Sequence, residues 1–333
     1  MATIKWGVLG YARIAKTSVL PAIAAAHNSE LRAVASSDPE KRKECQALFG
    51  CPVVYSGYDE LLEDAEVQAV YIPLPNSMHK EWALKAIRKG KHVLCEKPIA
   101  LDAADALEMI QAAQENKVLL MEAFMYRYTD RIRQVKAVLD SGEIGEVRYI
   151  QSTFRFLLNR PNTIKVQPGL GGGSLYDVGV YPVNFVGMVM NGQLPESCVS
   201  ESVMENGVDM MFSALLKYPG GVVASINSGF NAFAQMNSEI IGTKGRIEVP
   251  DTFQGSEGAI TVVTEAGSRQ VAVQESDRYT LEVADFADAI IAGRQPLFTL
   301  EETHRNMQVL DMLFASMKST GCPTGIFRKP ERA

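Results

Sequence analysis

Over the first 120 residues, short apolar runs alternate with amphipathic stretches of helical period. No other feature of the chain limits its fold as much. The apolar runs are Ile4–Leu9, Leu31–Ser36, Val53–Tyr55, Ala69–Ile72, His92–Cys95 and Val118–Met121. Helical stretches fall at about Ala12–Ala26, Pro39–Phe49, Ser77–Arg88 and Ala103–Glu115. Gly50, Gly90 and Asn116 stand just past three of them, where a left-handed or open cap ends a helix. Strands this apolar need cover on both faces. The alternation therefore predicts an α/β fold with a doubly wound parallel sheet of the Rossmann type.

The rhythm then changes. After a helix near Asp130–Leu139 come longer β-type runs at Arg148–Phe156, Met210–Lys217, Gly221–Ser228, Ser238–Ile241 and Arg246–Val249. "YPGG" and "GTKG" between them read as hairpin turns. Helices are expected near Ser174–Met190, Leu281–Ala292 and Glu301–Lys318. With 333 residues, about two domains of ordinary size fit the chain. We expect a Rossmann domain over 1–122 and an α+β domain over 123–333, built on a large, mostly antiparallel open sheet. The closing segment is free to pack back on the first domain. An open sheet face predicts a homodimer or homotetramer.

The first strand runs into "GVLGYARIA", close to the glycine pattern G-x-G-x-x-G but with Ala12 and Ala15 at its second and third positions. Gly10 would hold the tight turn. Tyr11, Ala12, Arg13 and Ile14 would open a helix whose N-terminus receives a pyrophosphate. A strand–turn–helix without ligand is the alternative, and the alternation that follows weighs against it. The second strand ends in "SSDPEKR". Ser36 and Ser37, with Lys41 and Arg42 close behind, suit a ribose 2′-phosphate and favour NADP, with NAD second. Asp38 precedes Pro39 and reads as a helix N-cap; turned to the ribose instead, it would favour NAD.

"HVLCEKP" ends the fifth strand at Glu96, Lys97 and Pro98, so Lys97 would face the cleft at the carboxyl ends of the sheet. A surface lysine beside a turn proline is the plain alternative. In "LGGGSLYDVGVYPVNF", Asp177 and Tyr181 are four apart and share a helix face. Pro182 cannot donate to Val178, so a kink is expected. A core tyrosine and a plain flexible loop at Gly171–Gly173 are the competing readings.

Composition excludes several classes. A net charge of −6 gives no reason to expect nucleic acid or an anionic membrane. The five cysteines are odd in number and lack any C-x-x-C, which suits free thiols in a reducing, cytoplasmic compartment rather than zinc. No signal peptide, spanning run, metal cluster or G-x-S-x-G is read.

Together "GVLGYARIA", "LPNSMHKEWALKAIRKGKHVLCEKP", "MEAFMYRY" and "GGGSLYDVGVYPVN" resemble the glucose–fructose oxidoreductase / inositol dehydrogenase / MocA family. They look most like its branch of dimeric dihydrodiol dehydrogenase and NADP-dependent D-xylose dehydrogenase. The resemblance implies hydride transfer between NADP(H) and a hydroxyl or carbonyl of a sugar, polyol or trans-dihydrodiol. It also implies that Lys97 and Tyr181 lie near the reacting oxygen, with Asp177 beside them. The Lys97 ammonium would bring the Tyr181 phenol down toward working pH. Leu74, Pro75, Asn76 and His79 of "LPNSMH", with Glu96, would line the cofactor, though Asn76 and His79 could serve only the helix start. Tyr176, Phe154 and Phe156 would form an apolar substrate wall or belong to the core. In "RFLLNRPNTIKVQPG", Asn162, Arg160 and Lys165 could hold substrate oxygens or face water. Glu122 and Arg127 would anchor the cleft floor or pair between domains. A nucleotide-binding regulator of the same fold, without turnover, is the alternative function.

Overall fold

The computed structural model describes residues 2–160 and 163–320. Six strands form the first sheet: β1 (Ile4–Leu9), β2 (Ser29–Ala35), β3 (Val53–Tyr55), β4 (Ala69–Ile72), β5 (His92–Glu96) and β6 (Leu120–Ala123). Their order is β3-β2-β1-β4-β5-β6, and every pairing is parallel. The chain reverses direction across the sheet between β1 and β4, which opens a crevice outside their carboxyl ends. Helices α1 (Leu20–Ala25), α2 (Pro39–Phe49), α3 (Tyr58–Leu62), α4 (His79–Arg88) and α5 (Ala103–Glu115) connect the strands. Val8, Val34, Val70 and Leu94 are fully buried, as a sheet covered on both faces requires.

Each local signal has a visible cause. Gly50 ends α2 with φ 59°, the left-handed cap expected of it. Asp38 caps α2 at its start, accepting from the Glu40 and Lys41 amides. The helix expected over Ala12–Ala26 departs from regularity. A π-helical turn, Ala15–Val19, precedes α1, and Leu20 donates to Ala15, five residues back. Pro21 has no amide to continue the ordinary ladder, and the wider turn absorbs the gap.

The second sheet contains β7 (Val147–Arg155), β8 (Ser197–Glu205), β9 (Val208–Lys217), β10 (Val223–Gly229), β11 (Ser238–Gly242), β12 (Gly245–Val249), β13 (Gly258–Thr264) and β14 (Gly267–Val273). Their order is β14-β13-β12-β11-β7-β10-β9-β8. All neighbours are antiparallel except β7 and β10. The turns at "YPGG" and "GTKG" join β9 to β10 and β11 to β12. Strands β8, β13 and β14 and helix α3 carry weak apolar alternation and were not legible in the sequence.

Helices α6 (Asp130–Asp140) and α7 (Val180–Val189) cover one face of this sheet. Helices α8 (Arg278–Ala292) and α9 (Leu300–Thr320) close the described chain. α8 returns to the first sheet, where Phe286 meets Trp6 with ring centroids 5.8 Å apart. α9 lies against α5, and Asp311 accepts from the Ala103 amide at 3.0 Å. On the opposite face of the second sheet, Val199 and Leu215 are register partners and both about half exposed. Among the described residues, no helix is long and apolar enough to cross a membrane.

Candidate active site

The glycine turn after β1 has the geometry a phosphate cradle needs. Gly10 sits at φ 106°, a conformation that side chains rarely adopt. A Cβ there would also approach Leu74 Cδ2 at 3.1 Å. The Gly10 amide donates to Ala35, which fixes the turn beside the end of β2. The helix then begins with Ala12 and Ile14 half-buried and Arg13 exposed. Tyr11 departs from expectation. Its ring is buried against Phe49, and burial pushes its phenol up to about 12, so its side chain belongs to the core and only its backbone borders the turn.

At the end of β2, Arg42 Nη1 donates to the Ser36 carbonyl at 2.5 Å, which draws a guanidinium to the strand's end. Ser36 is buried, and Ser37 and Lys41 are exposed on the rim. The Asp38 carboxylate accepts from the α2 amides, which turns it toward its own helix.

Beyond β4, Leu74 is buried and Pro75 half-buried. Asn76 Nδ2 donates to the Gly171 carbonyl at 2.8 Å and ties the Rossmann side to the second sheet's loop. His79 does not face the cleft. Its ring is fully buried, with Nδ1 2.8 Å from the Pro98 carbonyl and Nε2 2.8 Å from the Leu74 carbonyl. Burial holds its pKa down despite these two acceptors. His79 is a strut that positions the 74–76 loop and the Lys97–Pro98 peptide, which is cis.

β5 delivers Lys97 to the cleft. Its Nζ donates to the Asp177 main-chain carbonyl at 2.6 Å, stands 3.7 Å from Asp177 Oδ1, and lies 5.0 Å from the Tyr181 ring centroid. Asp177 occupies a second π-helical turn, Leu175–Gly179, and Tyr181 follows in α7. The expected kink at Pro182 takes this form. Val180 donates to Leu175, five residues back, just before the proline that lacks an amide.

Gly171–Gly173 is not a plain flexible loop. Gly171 and Gly173 have φ of 75° and 118°. A Cβ on Gly171 would come to 2.8 Å from Asn76 Cβ, and one on Gly172 to 2.7 Å from the Lys165 carbonyl. Asp209 of β9 receives Ser174 Oγ and the Leu175 amide, each at 2.7 Å, and so fixes the start of the helix that carries Asp177 and Tyr181.

The electrostatics correct one expectation. Burial works against the Asp177 carboxylate, but Lys97 and Lys165 outweigh it and hold its pKa below the usual value. The Tyr181 phenol goes the other way. Burial, then Tyr279, Glu96 and Asp177, push it well above 10, and Lys97 does not bring it down. The ammonium lies over the ring and its short bond goes to a carbonyl, while the Tyr181 hydroxyl donates to Met125 Sδ at 3.5 Å. Glu96 accepts from the Tyr71 hydroxyl at 2.6 Å, and burial raises its carboxyl.

Two of the aromatic residues expected to line the substrate are committed elsewhere. Phe154 is buried, stacked on Phe253 at 5.4 Å and packed behind Tyr181 at 5.2 Å. The Tyr176 hydroxyl donates to the Leu101 carbonyl at 2.5 Å, and its ring packs on Phe314. Phe156 remains half-buried, 5.7 Å from Lys165 Nζ, beside Asp177. Asn162 lies outside the described residues. Arg127 pairs with Glu302 at 2.9 Å, and Glu122 is fully buried beneath the cleft. Among the described residues, no group of three His, Cys, Asp or Glu side chains could hold a metal ion.

Sequence reasoning gave no definite role to Lys165, which pairs with the second Asp177 oxygen, and did not single out Asp209. Lys165 lay in a loop without periodicity, and the Asp209 contact spans two distant segments.

Comparison with known proteins identifies the family. Residues 4–124 match the model of the oxidoreductase family with an NAD-binding Rossmann fold. Residues 132–248 match the GFO/IDH/MocA C-terminal domain. The chain is 33% identical to a D-xylose 1-dehydrogenase (NADP(+)) of Haloferax volcanii over 94% of its length and 97% of that protein. It is 35% identical to a trans-1,2-dihydrobenzene-1,2-diol dehydrogenase of Xenopus laevis, covering 79% of each. The crystal structure of a 3-ketoreductase from Actinomadura kijaniata, in complex with NADP and TDP-benzene, superposes with a TM-score of 0.89 at 32% identity, covering 95% of this chain and 98% of that one. The chain belongs to the GFO/IDH/MocA oxidoreductases, a family built on an NAD-binding Rossmann fold.

Proposed function

We propose that this oxidoreductase transfers hydride between NADP(H) and a hydroxyl or carbonyl carbon of a sugar, polyol or trans-dihydrodiol. The observation that carries the reading is the meeting of Lys97, from one sheet, with Asp177 and Tyr181, from the helix on the other. The bound nicotinamide supplies or accepts the hydride. The Gly10 turn and the helix N-terminus after it suit the pyrophosphate. Ser36, Ser37, Lys41 and Arg42 suit a 2′-phosphate, and the commitment of Asp38 to its own helix supports NADP over NAD.

Lys97 points its ammonium at the reacting oxygen and stabilises negative charge that develops there. Tyr181, kept protonated by burial, donates a proton to the carbonyl oxygen in the reductive direction. Asp177 holds two lysines in place. A domain division near 122 is supported by the matched family regions, the first of which ends at 124 and the second of which begins at 132. The half-exposed Val199 and Leu215 on the outer sheet face support a homodimer or homotetramer. Among the described residues, four cysteines are free, which supports a reducing, cytoplasmic compartment.

The test is direct. The protein is mixed with NADP+ or NAD+ and a panel of aldoses, inositols and trans-dihydrodiols, and reduced nicotinamide is read by absorbance. Turnover with NADP+ and one substrate class is expected. NADPH binding without turnover in either direction would favour the regulator instead.

A further inference from the structure

Arg131, in the first turn of α6, is only 2% exposed. Among the described residues it forms no ion pair, and Asp251 acts on it only through space. Its Nη2 donates to the Glu257 carbonyl at 2.6 Å and its Nη1 to the Ala259 carbonyl at 3.4 Å, while Nε has no partner. Burying a cation against carbonyls alone is costly, and an apolar side chain of similar size would avoid that cost. What a hydrocarbon lacks is a fork of donors that reaches two carbonyls of one segment.

That segment is the turn 250–257, between β12 and β13. It closes on itself, with the Gln254 and Gly255 amides donating to the Asp251 carbonyl. A Cβ on Gly255 would come to 2.6 Å from Arg131 Nη2, so the turn wraps the guanidinium closely. Arg278, at the start of α8, donates to the Gln254 carbonyl at 2.6 Å. Two helices thus grip one turn by its backbone.

The side chain this turn delivers is Phe253, which is fully buried. Its ring stacks on Phe154 at 5.4 Å and lies 5.5 Å from Tyr181 and 5.2 Å from Tyr126. The charged and titratable groups around Tyr181 are Lys97 and Glu96 at the end of β5, Asp177, Tyr126, and Tyr279 and Glu282 of α8. The Tyr181 hydroxyl donates to a sulfur at 3.5 Å, a weak bond, so its aim rests on how the ring is packed. Resting on the hydride-transfer reading above, in which Tyr181 donates the proton, we propose that Arg131 is a positioning residue. It fixes the 250–257 turn so that Phe253 holds the Tyr181 ring in line with the reacting oxygen.

The experiment uses the full chain as Arg131→Met, Arg131→Lys and Phe253→Leu. kcat and KM are measured with NADP+ and the aldose, inositol or trans-dihydrodiol that the native protein oxidises fastest. NADPH affinity is read by fluorescence. Arg131→Met and Phe253→Leu are expected to lower kcat by about 10- to 100-fold, the scale of a misplacement of roughly 1 Å. KM and NADPH affinity stay within a few-fold of native. Arg131→Lys, which keeps the charge and a donor, recovers part of the rate. A second readout needs no turnover. Phenolate absorbance, titrated in each protein with and without Tyr181→Phe, isolates the Tyr181 phenol. A loosened turn admits water, so in Arg131→Met and Phe253→Leu that phenol should ionise at lower pH than in the native protein. Native kcat in a folded Phe253→Leu protein would overturn the proposal, whether or not Arg131→Met folds. Native kcat in Arg131→Met would do the same, as would a phenol that ionises at its native pH in both variants. So would a fall in kcat matched by an equal loss of NADPH affinity. Native rate in Tyr181→Phe, or no turnover of any panel compound by the native protein, would instead remove the reading on which the proposal rests.

Discussion

Lys97, at the carboxyl end of β5, donates at 2.6 Å to the main-chain carbonyl of Asp177, which packs on the other sheet. The aim of the ammonium is therefore set by backbone as well as by charge. The two sheets meet at the point where a substrate oxygen would react, and neither sheet alone carries the site.

Lys97→Met and Tyr181→Phe remove the cation and the proton donor without touching the Gly10 turn. Each is expected to lower kcat by about 10²- to 10⁴-fold, the usual worth of a positioned acid or base. NADPH titration by fluorescence should give a dissociation constant within a few-fold of the native one. Full rate in either variant would remove that residue from the chemistry.

Arg42→Ala deletes the guanidinium that lies at the end of β2. Affinity for NADP+ is expected to fall about 10- to 100-fold, as for the loss of a charged hydrogen bond. Affinity for NAD+ changes little. Equal losses for both cofactors would show that Arg42 does not read the 2′-phosphate.

Glu122 is fully buried, with Oε1 accepting from the Ile99 amide at 3.0 Å. Burial pushes its carboxyl from the usual 4.5 up to about 8. The folded protein thus keeps a proton that the unfolded chain releases. This group's contribution is fully present below pH 4.5 and is lost as pH rises toward about 8. The loss is about 1.4 kcal/mol per pH unit within that window. Glu122→Gln removes that part of the slope, which urea midpoints measured across pH would reveal. An unchanged slope would mean the carboxyl is ionised in the fold.

Gly173→Ala places a methyl group against Asp209 Oδ1 at φ 118°. Gly50→Ala, at φ 59°, meets nothing within 4 Å. The second change costs about 1–2 kcal/mol, for the left-handed backbone alone. The first should exceed it and also reduce kcat, because Asp209 fixes the helix of Asp177. Thermal unfolding of the two variants side by side tests the order.

Leu215→Glu puts a charge opposite Val199 on the outer sheet face. If that face joins copies of the chain, light scattering should show a smaller particle with secondary structure retained. An unchanged mass would place any interface elsewhere.

Much of this was local and therefore legible in the sequence. Apolar runs of strand length between helical periods gave the parallel sheet. The side chain of Asp38 before Pro39 could reach the amides just behind it, and Gly50 was free to turn left-handed, so both ends of α2 followed from neighbouring residues. The expectation that Lys97, Asp177 and Tyr181 act together rested on the family resemblance, because spacing alone did not separate them from a surface lysine and a core tyrosine.

Other outcomes needed contacts between segments far apart in the chain. His79 and Tyr176 have polar tips that suit a ligand, yet carbonyls at Leu74, Pro98 and Leu101 take them. Phe154 is as apolar as Phe156, and the rings of Tyr181 and Phe253 hold the first in the core while the second stays half-buried near Lys165. The phenol of Tyr181 rises because burial outweighs a cation that stands over its ring. The sequence determined which chemistry could be present, because hydrogen-bonding capacity, charge and backbone freedom belong to single residues. The tertiary structure decided which groups remain free to act, because burial and partners are set by residues as far apart in the chain as Asn76 and Gly171 or Phe154 and Phe253.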